Sequence, residues 1–200
     1  MTAAMVEPDQ TPQGRPWDYL LQSWREVDAP EGWRAEIDEG QIALVPPPHA
    51  LHNHIAEMVQ RGLYRNLPDD LGIYQTLGLH IAPLDKLYVP DLVVVPWELT
   101  ANADPDTNDP VDAAEALLVV EITSKGNARD DRTKKLWAYA HAPVPVYVLI
   151  DRFDEHGPTT TVCTEPLNGA YKHTERIPFG ETLSLGEPLS TDIDTGRFPR

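Results

Sequence analysis

Two short apolar runs in the middle of the chain each carry one carboxylate near an end. Residues 90–95 have Asp91 near their start, and residues 117–122 have Glu121 near their end. Short runs that are rich in β-branched residues are typical of strands buried on both faces. If the two strands pair antiparallel, the start of the first lies beside the end of the second. The pattern therefore predicts that Asp91 and Glu121 meet at one edge of a sheet.

A polar segment with helical spacing follows these two runs. Asp131, Lys135 and Tyr139 are spaced at i, i+4 and i+8, which places them on one face of a helix over 128–139. Residues 144–151 form another apolar run, so the region predicts a strand, a helix and a second, parallel strand. Sites in α/β sheets tend to lie at the carboxyl ends of such strands. Lys135, about one turn into the helix, is close enough to lean back over that edge.

The rest of the chain shows the same two periodicities. Gln75 is a polar residue within an otherwise apolar alternating segment. A buried amide needs partners, and the pattern leaves open whether these are core hydrogen bonds or site ligands. The predicted elements are a helix over 17–27, a hairpin over 33–44, a helix over 49–67, a strand over 72–82, a surface loop over 100–112 and a hairpin around Asn168-Gly169.

The composition fits a single medium-sized domain. The chain has 200 residues, of which 41% are hydrophobic, and we expect one core over 17–200 after a disordered lead over 1–16. Cys163 is the single cysteine, so no internal disulfide can form. No apolar run approaches the ~18 residues that a membrane span needs, and no signal peptide is visible. The composition therefore predicts a soluble cytoplasmic protein that does not bind membranes.

The charge balance bears on nucleic-acid binding. A net charge of -16 argues against broad, nonspecific affinity, because such binding relies on Lys and Arg to neutralise phosphates. Five of the 16 basic residues nevertheless follow the Glu121 run closely and predict a local basic patch, especially if metal ions offset the carboxylates. These residues are Lys125, Arg129, Arg132, Lys134 and Lys135.

The ordered set of motifs resembles the Uma-two family of restriction-endonuclease-like proteins, in the PD-(D/E)xK nuclease superfamily. The resemblance extends from about Trp33 to the C-terminus. It implies a mixed α/β fold, with a restriction-endonuclease-like core, flanking helices and a C-terminal β-meander. The motifs that carry it are Pro90-Asp91, Val120-Glu121-Ile122-Thr123-Ser124, Asp131-x-x-x-Lys135-x-x-x-Tyr139 and Val144-Pro145-x-Tyr147-x-Leu149-Ile150-Asp151.

The resemblance implies a metal-dependent endonuclease that acts on DNA, and it makes a homodimer plausible. Asp91, Glu121 and the main-chain carbonyl of Ile122 would bind Mg²⁺ or Mn²⁺, hard cations that favour oxygen ligands. The superfamily usually has its lysine two residues after the Glu, where this chain has Thr123. The family moves that lysine onto the next helix, which Lys135 matches.

Other residues are secondary candidates for the same site. Lys125 is a second candidate cation, and Lys135 could instead be a salt-bridge partner of Asp131 or a solvated charge on the helix. Glu36 matches an acidic residue of the family's opening hairpin, and His52 matches a histidine at the start of the next helix. Glu57 lies where many superfamily members have an acidic residue on their first helix. For Glu36 and Glu57 the alternative is an ordinary solvent-facing carboxylate.

Two other functions compete with an active nuclease. The acidic charge and the altered lysine motif favour a catalytically inert nuclease fold that is kept as a binding module. A glycosidase that uses Asp91 and Glu121 is a weaker alternative, because no aromatic-lined sugar cleft stands out and a neighbouring lysine is not needed. Dependence on a divalent metal separates the nuclease from both.

Overall fold

The computed structural model describes residues 16–104 and 107–199, so the predicted lead over 1–16 lies outside the described residues apart from Pro16. The helices are α1 (Pro16–Glu26), α2 (Ala50–Leu63), α3 (Trp97–Ala101), α4 (Ala128–Asp130) and α5 (Leu136–His141). The strands are β1 (Arg34–Asp38), β2 (Gln41–Val45), β3 (Leu71–Tyr74), β4 (Leu79–Ile81), β5 (Lys86–Tyr88), β6 (Leu92–Pro96), β7 (Val111–Asp112), β8 (Leu118–Ile122), β9 (Val146–Asp151), β10 (Thr159–Leu167), β11 (Ala170–Pro178), β12 (Thr182–Leu185) and β13 (Thr191–Asp194).

A mixed six-stranded sheet forms the centre of the fold, in the order β11-β10-β9-β8-β6-β3. β8 and β9 are parallel and are joined by the helical crossover, whereas β6 and β8 are antiparallel. β10 and β11 continue the sheet as an antiparallel meander. β6 and β8 are buried on both faces, as their apolar runs predict.

Strand alternation divides the core into two layers. Leu92, Val94 and Val120 pack with α2 and the C-terminal pair β12-β13 on one face of the sheet. Val93 and Val119 pack on the other face with α5 and with part of a second sheet, of order β2-β1-β5-β4-β7. Side chains two positions apart in a strand lie on the same face. Asp91, two residues before Val93, and Glu121, two residues after Val119, therefore lie on that second face.

The predicted strand over 72–82 is wrong. The chain instead forms β3 in the central sheet and β4 in the second sheet. Thr76, between them, has φ of +59°, in the left-handed region that ends an extended segment. Gln75 consequently lies in the exposed connection and not on an apolar strand face. The predicted loop over 100–112 also contains structure, because α3 ends at Ala101 and β7 pairs with β4.

The crossover helix over 128–141 is not a regular α-helix. A π-helical turn, Asp131–Lys135, lies between α4 and α5. The sequence predicted Lys135 about one turn into this helix. The helix begins at Ala128, so Lys135 lies in its second turn. Among the residues that the structure describes, no helix is long and apolar enough to cross a membrane.

Candidate active site

Asp91 and Glu121 lie side by side at one edge of the central sheet. Leu92 at the start of β6 pairs with Val120 in β8, which puts Asp91 next to Glu121 across the two strands. Oδ2 of Asp91 accepts a hydrogen bond from the main-chain nitrogen of Ile122, at 2.8 Å. The antiparallel pairing of two buried strands thus brings together two carboxylates that are 30 positions apart in the sequence.

Lys135 lies between two of the carboxylates. Its Nζ is 3.1 Å from Oε1 of Glu121 and 3.1 Å from Oε1 of Glu36 on β1. The hydroxyl of Tyr139 donates to the same Glu121 oxygen at 3.2 Å, and the main-chain nitrogen of Val89 donates to Glu36 at 3.1 Å. Glu36 is only 6% exposed, so it belongs to this buried cluster and is not a solvent-facing strand residue.

Burial and mutual repulsion govern the protonation of these groups. Burial alone would lower the pKa of Lys135, but the charges of Glu121 and Glu36 raise it well above its ordinary value, so the ammonium persists. Glu121 is only 1% exposed. Burial, together with the charges of Asp91 and Glu36, raises the pKa of Glu121 to about 7 against the opposing effect of Lys135. The cluster therefore contains more negative charge than its lysine neutralises.

Asp131 adds a further carboxyl group to the cluster. It is fully buried, and neither of its carboxyl oxygens has a hydrogen-bond partner among the described residues. Its Oδ1 lies 3.9 Å from Nζ of Lys135. Burial, and then the charge of Glu121, raises the pKa of Asp131 to about 9. Asp131 is therefore protonated near neutral pH when no further cation is bound.

Arg34 and His52 hold Asp91 from the opposite side. Nη1 of Arg34 is 3.2 Å from Oδ1 of Asp91 and 3.1 Å from the carbonyl of Val89. Nε2 of His52 is 3.0 Å from the same Asp91 oxygen, a close contact whose angle is not that of a hydrogen bond. Burial opposes ionisation of Asp91, but the proximity of His52, the charge of Arg34 and the hydrogen bond from the main-chain nitrogen of Ile122 lower its pKa below the usual range.

Sequence reasoning missed Arg34. A single arginine at the start of a strand gives no local signal, and its contact with Asp91 spans 57 positions in the sequence. Arg34, His52, Asp91 and Gln75 line a cavity of about 70 Å³ beside the sheet edge. Gln75 thus reaches the neighbourhood of the site from an exposed connection, where its amide also lies 3.4 Å from Gln60.

Thr123 occupies the position where the superfamily usually has its lysine. It is buried, and its hydroxyl donates to Oδ1 of Asp151 at 3.0 Å. Arg132 pairs with the same carboxylate through two nitrogens, at 2.6 Å and 3.0 Å. These bonds tie the crossover helix to the ends of β8 and β9, and the lysine that contacts Glu121 is Lys135 on that helix.

The structure does not bring Glu57 or Lys125 into the cluster. Glu57 is on the outer face of α2, where it pairs with Arg61 and lines a separate cavity of about 380 Å³. Lys125 is exposed in the connection between β8 and α4. The cationic position beside Glu121 is therefore taken by Lys135.

The donor chemistry of the cluster fits a hard divalent cation. Among the described residues, the four carboxyl groups of Glu36, Asp91, Glu121 and Asp131 share two permanently charged partners, Lys135 and Arg34. Within 16–104 and 107–199, however, no group of three or more His, Cys, Asp or Glu side chains is arranged to hold a metal ion. Lys135 and Arg34 instead contact the carboxylate oxygens that would face a cation. The residues fit the ion in chemistry and charge, and binding requires some of these ion pairs to rearrange.

Comparison with known proteins identifies the family. Residues 18–195 match the model of the Uma2 family, whose description is "Putative restriction endonuclease". The chain belongs to the Uma2 family. This result confirms the resemblance that the four motifs indicated. No curated protein matches the chain.

A solved structure of similar fold supports the architecture. It is the crystal structure of a "putative nuclease belonging to DUF820" from Anabaena variabilis, which is 17% identical to this chain. The match has a TM-score of 0.65 and covers 86% of this chain and 90% of the other. It confirms the predicted mixed α/β, nuclease-like fold. Membership of the Uma2 family associates this chain with nuclease-like function.

The raised pKa of Asp131 leads to a prediction about stability. Its ordinary pKa of 3.8 rises to about 9 on folding, so the folded protein binds this proton more tightly than the unfolded chain. The stability that this proton provides is complete below about pH 4 and is lost as the pH rises towards 9. Because an amide does not titrate, Asp131→Asn should be more stable than wild type by roughly 1–3 kcal/mol at pH 8 and by much less at pH 4.5.

Urea unfolding in chelator at the two pH values measures this difference. Asp192→Asn is the matched control, since Asp192 is exposed in β13, and the stability of this variant should follow that of wild type at both pH values. If Asp131→Asn raises the free energy of unfolding equally at pH 4.5 and pH 8, or does not raise it, the result would contradict a buried carboxyl group at this position that neighbouring carboxylates repel.

Proposed function

We propose that this protein is a metal-dependent endonuclease that hydrolyses phosphodiester bonds in DNA. The observation that carries the proposal is the juxtaposition of Asp91, Glu121 and the Lys135 ammonium in one buried cluster. Carboxylates beside a protonated lysine at a sheet edge provide ligands for a divalent cation and a fixed positive charge for a phosphate group. Membership of the Uma2 family supports the same reading.

Each residue has a distinct part in the proposed chemistry. Asp91, Glu121 and the carbonyl of Ile122 would hold Mg²⁺ or Mn²⁺. When bound there, the cation would supply a water of lowered pKa and would neutralise negative charge on the phosphate. Lys135, held beside Glu121, orients the attacking water and stabilises the negative charge of the transition state through its ammonium.

The remaining contacts position these groups. Tyr139 fixes the Glu121 carboxylate through its hydroxyl, while Arg34 and His52 fix Asp91. Glu36 shares Lys135 with Glu121 and thereby orients the ammonium. The positive charges of Arg34 and Lys135 offset part of the repulsion between this acidic protein and a polyanion.

An inert binding module is the second candidate, and one observation favours it. In this structure the carboxylate oxygens of Asp91 and Glu121 already have Arg34 and Lys135 as partners. A cluster that is closed by its own ion pairs holds the fold together without any need for a cation. Under this alternative the acidic cluster is purely structural, and the protein binds its partner through another surface.

Cleavage assays distinguish the two candidates. Wild-type protein should cleave supercoiled, linear or single-stranded DNA in the presence of Mg²⁺ or Mn²⁺, and cleavage should stop when chelator is added. Cleavage that continues in chelator would contradict the metal-dependent mechanism. If no substrate is cleaved in either metal, the binding module is the better account. The homodimer stays a prediction, which light scattering can check.

A further inference from the structure

The π-helical turn Asp131–Lys135 is an unusual feature to find beside the candidate active site. π-helices are rare and occur mostly as single-turn interruptions of α-helices, frequently at functional sites. Here the turn begins at one member of the cluster, Asp131, and ends at another, Lys135. α-Helical segments precede and follow it directly.

The turn changes which side chains share a face of the helix. In an α-helix, four residues overshoot a full turn by about 40°, so side chains eight positions apart diverge by about 80°. A wider π turn in the first half of this interval removes much of the divergence. Asp131 therefore stays on the face that carries Lys135 and Tyr139, with its Oδ1 atom 3.9 Å from Nζ of Lys135. Lys135 and Tyr139 in turn reach the same Oε1 atom of Glu121, at 3.1 Å and 3.2 Å.

Tyr147 contacts the main chain where the π turn begins. Its hydroxyl donates a hydrogen bond of 2.8 Å to the main-chain carbonyl of Asp131. Tyr147 is fully buried in β9, and its ring lies against Tyr139, with 5.7 Å between the ring centroids. A side chain that bonds to a helix carbonyl is one of the recognised causes of local departure from the α-helical hydrogen-bond ladder.

We propose that Tyr147 is a positioning residue, whose hydroxyl holds the helix in the π register that places Nζ of Lys135 between Glu36 and Glu121. The claim about register stands on the structure, and its consequence for catalysis rests on the proposed nuclease function. Removal of the hydroxyl leaves a buried carbonyl without this donor, which is costly. We expect the turn then to relax to α-helical geometry, which rotates Lys135 away from its two carboxylates.

Tyr147→Phe tests this role, and Tyr171→Phe is a closely matched control. Tyr171 is a neighbouring tyrosine of the same core, and its hydroxyl also donates to a main-chain carbonyl, that of Val144, at 3.0 Å. Its ring lies 6.3 Å from that of Tyr147. Each variant loses one hydroxyl and one hydrogen bond to a carbonyl, but only Tyr147 contacts the π turn.

Crystal structures and steady-state kinetics of the two variants give independent readouts. In Tyr147→Phe, we expect the turn to become α-helical, with Nζ of Lys135 more than 4 Å from Glu36 or Glu121. We expect kcat for DNA cleavage to fall roughly 10- to 100-fold, with KM changed by less than about two-fold. Tyr171→Phe should keep the π turn, the Lys135 contacts and the wild-type kcat.

The outcomes separate this proposal from the proposed function. A π turn and Lys135 contacts that persist in Tyr147→Phe would overturn the positioning role, whatever the activity. Equal losses of kcat in both variants would also overturn it, because they would indicate a general effect of core damage. If wild type cleaves no DNA, the nuclease function fails, but the crystal structures still decide whether Tyr147 sets the register of Lys135.

Discussion

Glu121→Gln is expected to lower kcat for DNA cleavage by at least ~1,000-fold. The amide keeps the shape of the side chain and an oxygen that can accept from Tyr139, so the local packing is preserved. It removes the negative charge that a divalent cation needs and that holds Lys135 at 3.1 Å. Cleavage of a labelled duplex in Mg²⁺ measures the effect, and circular dichroism checks that the variant is folded.

Glu57→Gln is the matched control for this substitution. Like Glu121, Glu57 is a carboxylate that pairs with a basic residue. It lies on the outer face of α2, where its partner is Arg61. Its variant should cleave DNA at the wild-type rate. A Glu121→Gln protein that retains more than a tenth of the wild-type kcat would remove Glu121 from the catalytic site.

Lys135→Met should lower kcat by roughly 100- to 1,000-fold, because it removes the fixed charge that stabilises the transition state. Met fills a similar volume without the ammonium. Lys125→Met is the control, since Lys125 is exposed and lies in the connection after Glu121. Near-normal cleavage by Lys135→Met together with an inactive Lys125→Met would mean that the loop lysine provides the cation.

The loss in Lys135→Met must be separated from a loss of folding. Removal of a buried cation leaves Glu36 and Glu121 without their shared partner, which should cost about 3–5 kcal/mol of stability. Manganese binding resolves the ambiguity, because the competing ammonium is gone and the carboxylates remain. Calorimetry should therefore show metal affinity at least equal to that of wild type in a variant that has lost its cleavage activity.

The strands and their pairing could be predicted from the sequence because their signals are local. The shortness and β-branched residues of the two runs favour buried strands over helices, and antiparallel pairing, once assumed, fixes which ends meet. This reasoning put Asp91 beside Glu121, and the spacing of Lys135 and Tyr139 put both on the helix face that the structure turns towards Glu121.

Other features depend on long-range contacts that no local pattern encodes. The alternating run over 72–82 predicted one strand, because nothing in a threonine indicates the left-handed conformation that Thr76 adopts. In the sequence, nothing distinguishes Arg34 from an ordinary surface arginine, because its contact with Asp91 forms only in the folded chain. The π turn has no periodic signal either, since it forms where Tyr147 of a later strand reaches the Asp131 carbonyl.

The most direct test of the account is a crystal structure of the protein soaked in manganese. We expect anomalous density between Asp91 and Glu121, with Arg34 or Lys135 displaced from the carboxylate oxygens that they contact here. The same soak of Glu121→Gln should show no density at that position. Absence of density in wild type, with both ion pairs intact at saturating manganese, would contradict a metal-dependent site and leave the acidic cluster as a structural feature of the fold.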